Sequence, residues 1–191
     1  ASSKLPSNAP SSPTLPPVCA LTAQAPAALR AASPDEVRLP ASCGTNTSSR
    51  FSTASLPEIA LIREMFPDTS AYFMHPVKAR AVIRTSYEVY GVRHFVIDHP
   101  SELTKVMDET GGEGVAIIVR MATPHAGAAF DLSTKFGASP ALATDLLRAV
   151  RDEGCQGGLA FHVGSQCLSP RAYRTALGLV GEVAEAAGTE M

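Results

Sequence analysis

From residue 51 onward, short apolar runs alternate with amphipathic stretches five times in succession. This alternation constrains the fold more than any other feature of the chain. A strand that follows a helix cannot pair with the preceding strand through a tight hairpin. The helix returns the chain to its starting end, so successive strands run parallel. The apolar runs predict strands over 51–55, 71–75, 94–98, 115–121 and 158–163, and helices over 56–66, 78–90, 101–110, 140–152 and 170–187. Ser55 with Glu58 three residues on has capping-box spacing, and Ser139 is the predicted N-cap of the fourth helix. Ser169-Pro170 opens the fifth, with proline at the first helical position, where its missing N–H costs nothing. Gly91 and Gly111-Gly112 stop the second and third helices. Five such units fit a doubly wound parallel sheet or part of a (β/α)8 barrel, and a full barrel takes about 250 residues and eight strands.

Residues 1–50 have another texture. They are rich in Ser, Pro and Ala, hold no acidic residue before Asp35 and show no sustained period, so a largely disordered segment is expected before a folded domain over 51–191. The segment is Ser-rich and acid-poor, as transit peptides are, but Lys4 and Arg30 are its only basic residues before Arg38, which argues against a targeting role. A net charge of −2 without a long basic run argues against nucleic acid or an anionic membrane as partner. No apolar run approaches the roughly 18–20 residues of a membrane span. Cys19, Cys43, Cys155 and Cys167 have no Cys-x-x-Cys spacing, which points to free thiols in a reducing cytoplasm. The start at Ala1 and the end at Met191, just past the last expected helix, suggest a fragment.

In a β/α barrel the chemistry sits at the C-terminal ends of the strands. The polar residues expected there are Ser52, His75, Asp98, Arg120 and His162. His162 stands out because Gly164 and Ser165 follow it: glycine lets backbone approach a ligand, and a serine hydroxyl among N–H groups suits phosphate. Arg120 closes a buried-type run and must be paired or lie at the mouth of the sheet. Lys135-Phe136-Gly137 lies in a polar loop after the fourth strand. Lys78 reads as the first turn of a solvent-facing helix rather than as a reactive amine, and the spacing of His94 and His99 is not that of metal ligands.

Several segments, in order, resemble the pyridoxal-phosphate (PLP) decarboxylases of the ornithine/diaminopimelate/arginine type. Phe51-Ser52-Thr53-Ala54-Ser55 with Glu58-Ile59 resembles their Phe-Asp-x-Ala-Ser…Glu-Ile motif, and His75-Pro76-Val77-Lys78 their Asn-Pro-x-Lys segment. Residues 91–103 resemble the strand and Asp-Ser-x-x-Glu-Leu stretch that follows. Residues 132–138, through Lys135-Phe136-Gly137, and Phe161-His162-Val163-Gly164-Ser165-Gln166 are the most specific matches. The resemblance implies an incomplete alanine-racemase-like (β/α)8 barrel with about five β-α units, and PLP as cofactor. His162 would stack on the pyridine ring, Ser165 would bind the phosphate, Arg120 and Glu58 would line the site, and Lys135 would lie at a dimer interface beside it. The implied reaction is loss of CO2 from a basic amino acid, ornithine or lysine, in polyamine biosynthesis by a cytoplasmic homodimer.

The match departs from the family at one chemical necessity. The family's Schiff-base lysine lies in a strand before the Phe-Asp-x-Ala-Ser motif, where this chain reads Leu29-Arg30-Ala31-Ala32-Ser33-Pro34-Asp35, with Ala31 at the lysine's place. Ser52 replaces the motif's Asp. The glycine-rich phosphate loop, the acid for the pyridine nitrogen and the C-terminal β-domain would follow Met191. Two expectations result: a fragment of a decarboxylase that is silent by itself, or a non-catalytic homologue that regulates a decarboxylase through dimer contacts.

Overall fold

In the computed structural model, which describes residues 50–123, 135–165 and 167–188, strands and helices alternate as β1 (Arg50–Thr53), α1 (Leu56–Met65), β2 (Ser70–Phe73), α2 (Arg80–Glu88), β3 (His94–Ile97), α3 (Pro100–Thr110), β4 (Ala116–Met121), α4 (Pro140–Asp152), β5 (Gln156–Phe161) and α5 (Pro170–Ala187). The expected N-terminal segment lies outside the described residues, except for Arg50, which opens β1. All neighbouring strands are parallel, in the order β1-β2-β3-β4-β5. This order resolves the alternatives left open by the alternation. A doubly wound sheet reverses its strand order at a switch point, whereas here each strand simply adds beside the last, as in a barrel.

The pleat divides the side chains between two faces. Phe73, Phe95, Ile117, Val119 and Phe161 point into the main core. Each helix adds to that core, through Ile59, Ile83, Val106, Leu146 and Val180. Tyr72, Val96, Ile118 and Ala160 form a second, smaller cluster to which no helix contributes. The helices therefore cover one face, and the other is the concave face of a partial barrel. No helix among the described residues is long and apolar enough to cross a membrane.

Element boundaries differ from expectation for local reasons. β1 stops at Thr53 because Ala54 N–H turns to the Glu58 carboxylate, 2.8 Å away. Ser55 is the N-cap of α1, yet its side chain makes no cap bond, so only the acidic half of the expected capping box forms, on Ala54. β5 begins two residues early, at Gln156 and through Gly157, a glycine that a propensity reading leaves out of a strand. A Cβ at Gly157 would lie 3.4 Å from Leu147, so the glycine lets α4 pack closely on β5.

Lys78 corrects the reading of a solvent-facing helical turn. α2 starts only at Arg80, and Lys78 precedes it with a fully buried side chain. Its ammonium donates to His75 O (3.1 Å), Pro76 O (2.9 Å) and Val96 O (2.5 Å) and lies 3.6 Å from Glu102 Oε2. The second carboxylate oxygen of Glu102 pairs with Lys105, whose amine also reaches Lys78 O at 2.8 Å. Burial lowers the Lys78 pKa to about 8, against the opposing attraction of Glu102.

The pH dependence follows from linkage. An unfolded lysine titrates near 10.4, so between pH 8 and that value the unfolded chain holds more protons at residue 78. Folding should gain stability from this group as pH rises through that window and be insensitive to it below. Urea unfolding from pH 7 to 10.5 should show the stability of the wild-type chain rising relative to Lys78→Met, by a total of about 2–3 kcal/mol. Parallel curves for the two proteins would contradict the burial of the charge.

Candidate functional site

The C-terminal ends of the strands are uneven, and that unevenness builds the site. β3 pairs with β4 only as far as Ile97 opposite Val119, while β4 continues through Arg120 and Met121. β5 covers one side of this extension, with Met121 opposite Phe161. Ala138 occupies the other side in a parallel bridge to Met121, its N–H on Arg120 O (2.8 Å) and its carbonyl accepting from Ala122 N (2.9 Å). Gly137 N–H donates to Asp98 Oδ2 at 2.9 Å, which ties this segment to the end of β3. Gly137 has φ +104°, and a Cβ there would lie 2.5 Å from Ala122 N and 2.9 Å from the Met121 carbonyl carbon. The glycine of the Lys-Phe-Gly motif is therefore a backbone-contact residue.

The bridge sets Phe136 where three side chains meet its ring. Arg120 Cζ lies 5.3 Å from the ring centroid, Lys135 Nζ 5.2 Å, and the His75 imidazole approaches edge-on at 5.6 Å. Cation–π pairs of this kind contribute about 0.5–2 kcal/mol each, and the aromatic pair about 0.5–1.5. His75 keeps its orientation through Nδ1, which is within 2.7 Å of Val77 O and 3.2 Å of Val77 N.

Arg120 pairs with Ala160, a member of the concave-face cluster, so Arg120 takes that face too. His162 follows just after β5. Its Nδ1 accepts the Gly164 N–H at 2.9 Å, and Thr123 Oγ1 donates to its carbonyl at 3.1 Å. With Nδ1 accepting, the proton of the neutral ring sits on Nε2. Burial first, and then the Arg120 charge, hold the His162 pKa below the ordinary 6.5. Arg120 is itself lowered by burial, partly offset by Asp98. The result is an uncharged, oriented imidazole beside a fixed cation. Gly164, at φ +95°, turns the chain back so that its N–H meets that ring, and the half-buried Ser165 comes next.

Of the residues singled out by sequence, Arg120, His162, Asp98, His75 and Lys135 gather around Phe136 and the end of β4. Lys135 is exposed. Glu58 lies at the same end of the strands but at the far side of the sheet, after β1, where its exposed carboxylate caps Ala54 N–H. Sequence reasoning gave Phe136 no role of its own. Its position between a lysine and a glycine was the available signal, since an aromatic ring beside a cation is a ready stacking partner.

A family model described as the pyridoxal-binding domain of pyridoxal-dependent decarboxylases matches residues 31–190. The lysine/ornithine decarboxylase of Selenomonas ruminantium is 40% identical over 131 residues, covering 68% of this chain and 33% of that protein. Antizyme inhibitor 2 of Xenopus laevis is 31% identical over 147 residues, covering 74% of this chain and 31% of that protein. A crystal structure of lysine decarboxylase from Selenomonas ruminantium superposes with a TM-score of 0.63 at 35% identity, over 73% of this chain and 36% of that one. The alanine racemase of Acinetobacter baumannii, at 16% identity and a TM-score of 0.59 over 74% of this chain and 38% of that one, shares the fold. The chain spans about a third of the length of the curated relatives it matches. It belongs to the pyridoxal-dependent decarboxylase family, and residues 31–190 match the family's pyridoxal-binding domain.

Three substitutions test this geometry. Gly137→Ala should destabilise the chain by about 3 kcal/mol or more, through backbone overlap added to the strain of positive φ. Gly111→Ala, with positive φ but open space around its Cβ, should cost only about 1–2 kcal/mol. Equal losses in urea unfolding would show that Gly137 does not touch β4. Arg120→Met should raise the His162 titration midpoint, because the repelling charge is gone while burial remains. An unchanged midpoint by NMR would remove Arg120 from the His162 environment.

Proposed function

We propose that the protein to which this domain belongs is a PLP-dependent decarboxylase of a basic amino acid, ornithine or lysine, releasing a diamine for polyamine biosynthesis. The supporting observation is the neutral, oriented His162 imidazole beside Arg120, followed by Gly164 and Ser165. A planar phosphorylated ring fits these groups. His162 would present its face to the ring, Ser165 would donate to the phosphate, and Arg120 would supply positive charge close by. Glu58 would line the site from the β1 side, and Lys135 would sit at its edge, against a second subunit of a cytoplasmic homodimer. PLP, when bound, supplies an electron sink for the pair left by departing CO2. Arg120 and His162 would orient it, and the low pKa of His162 keeps a second positive charge off its ring.

Covalent attachment is another matter. The chain has four lysines, at 4, 78, 105 and 135. The amines of Lys78 and Lys105 are held by carbonyls and by Glu102, and Lys135 lies exposed over Phe136. Residues 29–35, where the family's lysine would fall, lie outside the described residues and read alanine at position 31. This chain by itself should therefore bind cofactor without decarboxylating. A second reading, a non-catalytic homologue that regulates a decarboxylase through dimer contacts, draws support from Ala31 and from the likeness to antizyme inhibitor 2.

Absorbance titration of the purified chain with PLP should show saturable binding that His162→Ala weakens at least tenfold, with no adduct retained after borohydride reduction and no CO2 from ornithine or lysine. Binding indifferent to His162→Ala would displace the site, and CO2 release would refute the silence of the chain. A change in the activity of an added decarboxylase would favour the regulatory reading.

A further inference from the structure

We propose that Lys78 is a positioning residue for the cofactor site: its buried ammonium anchors the His75-Pro76 turn that forms one wall of that site. The role of the wall rests on the functional reading above. The anchoring rests on geometry alone. An ammonium group has three protons, and Lys78 directs them at three carbonyls. Two, His75 O and Pro76 O, belong to the turn after β2, and the third, Val96 O, belongs to the fully buried middle of β3. The amine thus joins a turn at the site to a strand buried in the sheet.

Lys78 is held along its backbone as well. Its N–H donates to Glu102 Oε2 at 3.3 Å, and its carbonyl accepts from Lys105 Nζ at 2.8 Å. The turn it anchors carries the His75 ring, which meets Phe136 edge-on, and Arg120 lies over that same ring. Arg120 in turn sets the charge around His162. A buried apolar side chain of similar size would fill the space without the desolvation cost of an ion. It could not hold the two turn carbonyls in one place. Release of the turn should free His75 from Phe136, let Arg120 drift from His162, and loosen the seat for a planar ring.

The test uses imidazole NMR spectra of the full 191-residue chain, as wild type, Lys78→Met, Lys78→Gln and Lys105→Met. In Lys78→Met, the His75 ring protons should lose the shift caused by Phe136, and the His162 midpoint should rise. Lys78→Gln, with two donors at most, should fall between Lys78→Met and wild type. Lys105→Met, which leaves the carbonyl contacts of Lys78 in place, should resemble wild type at both histidines. PLP affinity should fall about tenfold in Lys78→Met. Folded Lys78 variants with wild-type His75 and His162 signals would overturn the proposal, whatever their loss of stability. Failure of both Lys78 variants to fold would also overturn it, because the lysine would then serve the whole fold. If the histidines respond as expected while even the wild-type chain binds no PLP, the anchoring stands and the functional reading fails.

Discussion

Past Val119, β4 runs on without β3 beside it, and the backbone of Ala138 takes the vacant place. The rest of the site depends on this one bridge. It fixes Gly137 against Ala122 and Asp98, it fixes Phe136 one residue earlier, and through Phe136 it sets the positions of Arg120, Lys135 and His75. A strand extension with an open edge would otherwise leave unpaired N–H and C=O groups. Satisfying them with a loop from the same chain builds a rigid floor where the barrel places its chemistry.

Charge at this end of the sheet is arranged by depth. Arg120 lies partly buried over an aromatic face, near Asp98, and its field adds to burial in lowering the His162 pKa. Lys78 is deeper still, enclosed by carbonyls and Glu102. The two cations therefore differ in what they can do. Arg120 faces the concave side and is placed to meet a ligand. The amine of Lys78 has its protons committed within the chain, so its influence is mechanical. Arg80 and Arg84 pair with Asp108 and Glu109 between α2 and α3, and the Arg80–Asp108 pair, half-exposed on both sides, is of small energetic weight.

Much of this was legible in the sequence, and the gaps have physical causes. The helix starting at Pro140 was readable because Ser139 and Pro140 are local signals, and Ser139 does accept the Leu142 N–H. His162 was readable because its glycine and serine are neighbours in sequence. The start of β5 was not, since Gln156 and Gly157 join the strand by pairing with Ala116 and Ile117, far away in sequence. Burial of Lys78 was not either. Its partners Val96 and Glu102 are 18 and 24 residues away, and nothing near Lys78 in sequence announces them. Glu58 was readable as a helix-end acid, but not that its bond would fall on Ala54 rather than on the cap residue.

Hydrophobic period and helix-end residues are local, so the chain alone determined five strand–helix units and their parallel pairing, while most strand ends fell one or two residues from the expected place. Strand order is not local. It decides whether helices cover one face or two, and it emerged only when each strand was seen beside its immediate predecessor. The same holds for which charges are buried. A lysine's environment is set by the elements packed over it, and only the tertiary structure brought β3 and α3 onto Lys78 and left Arg120 facing the concave side.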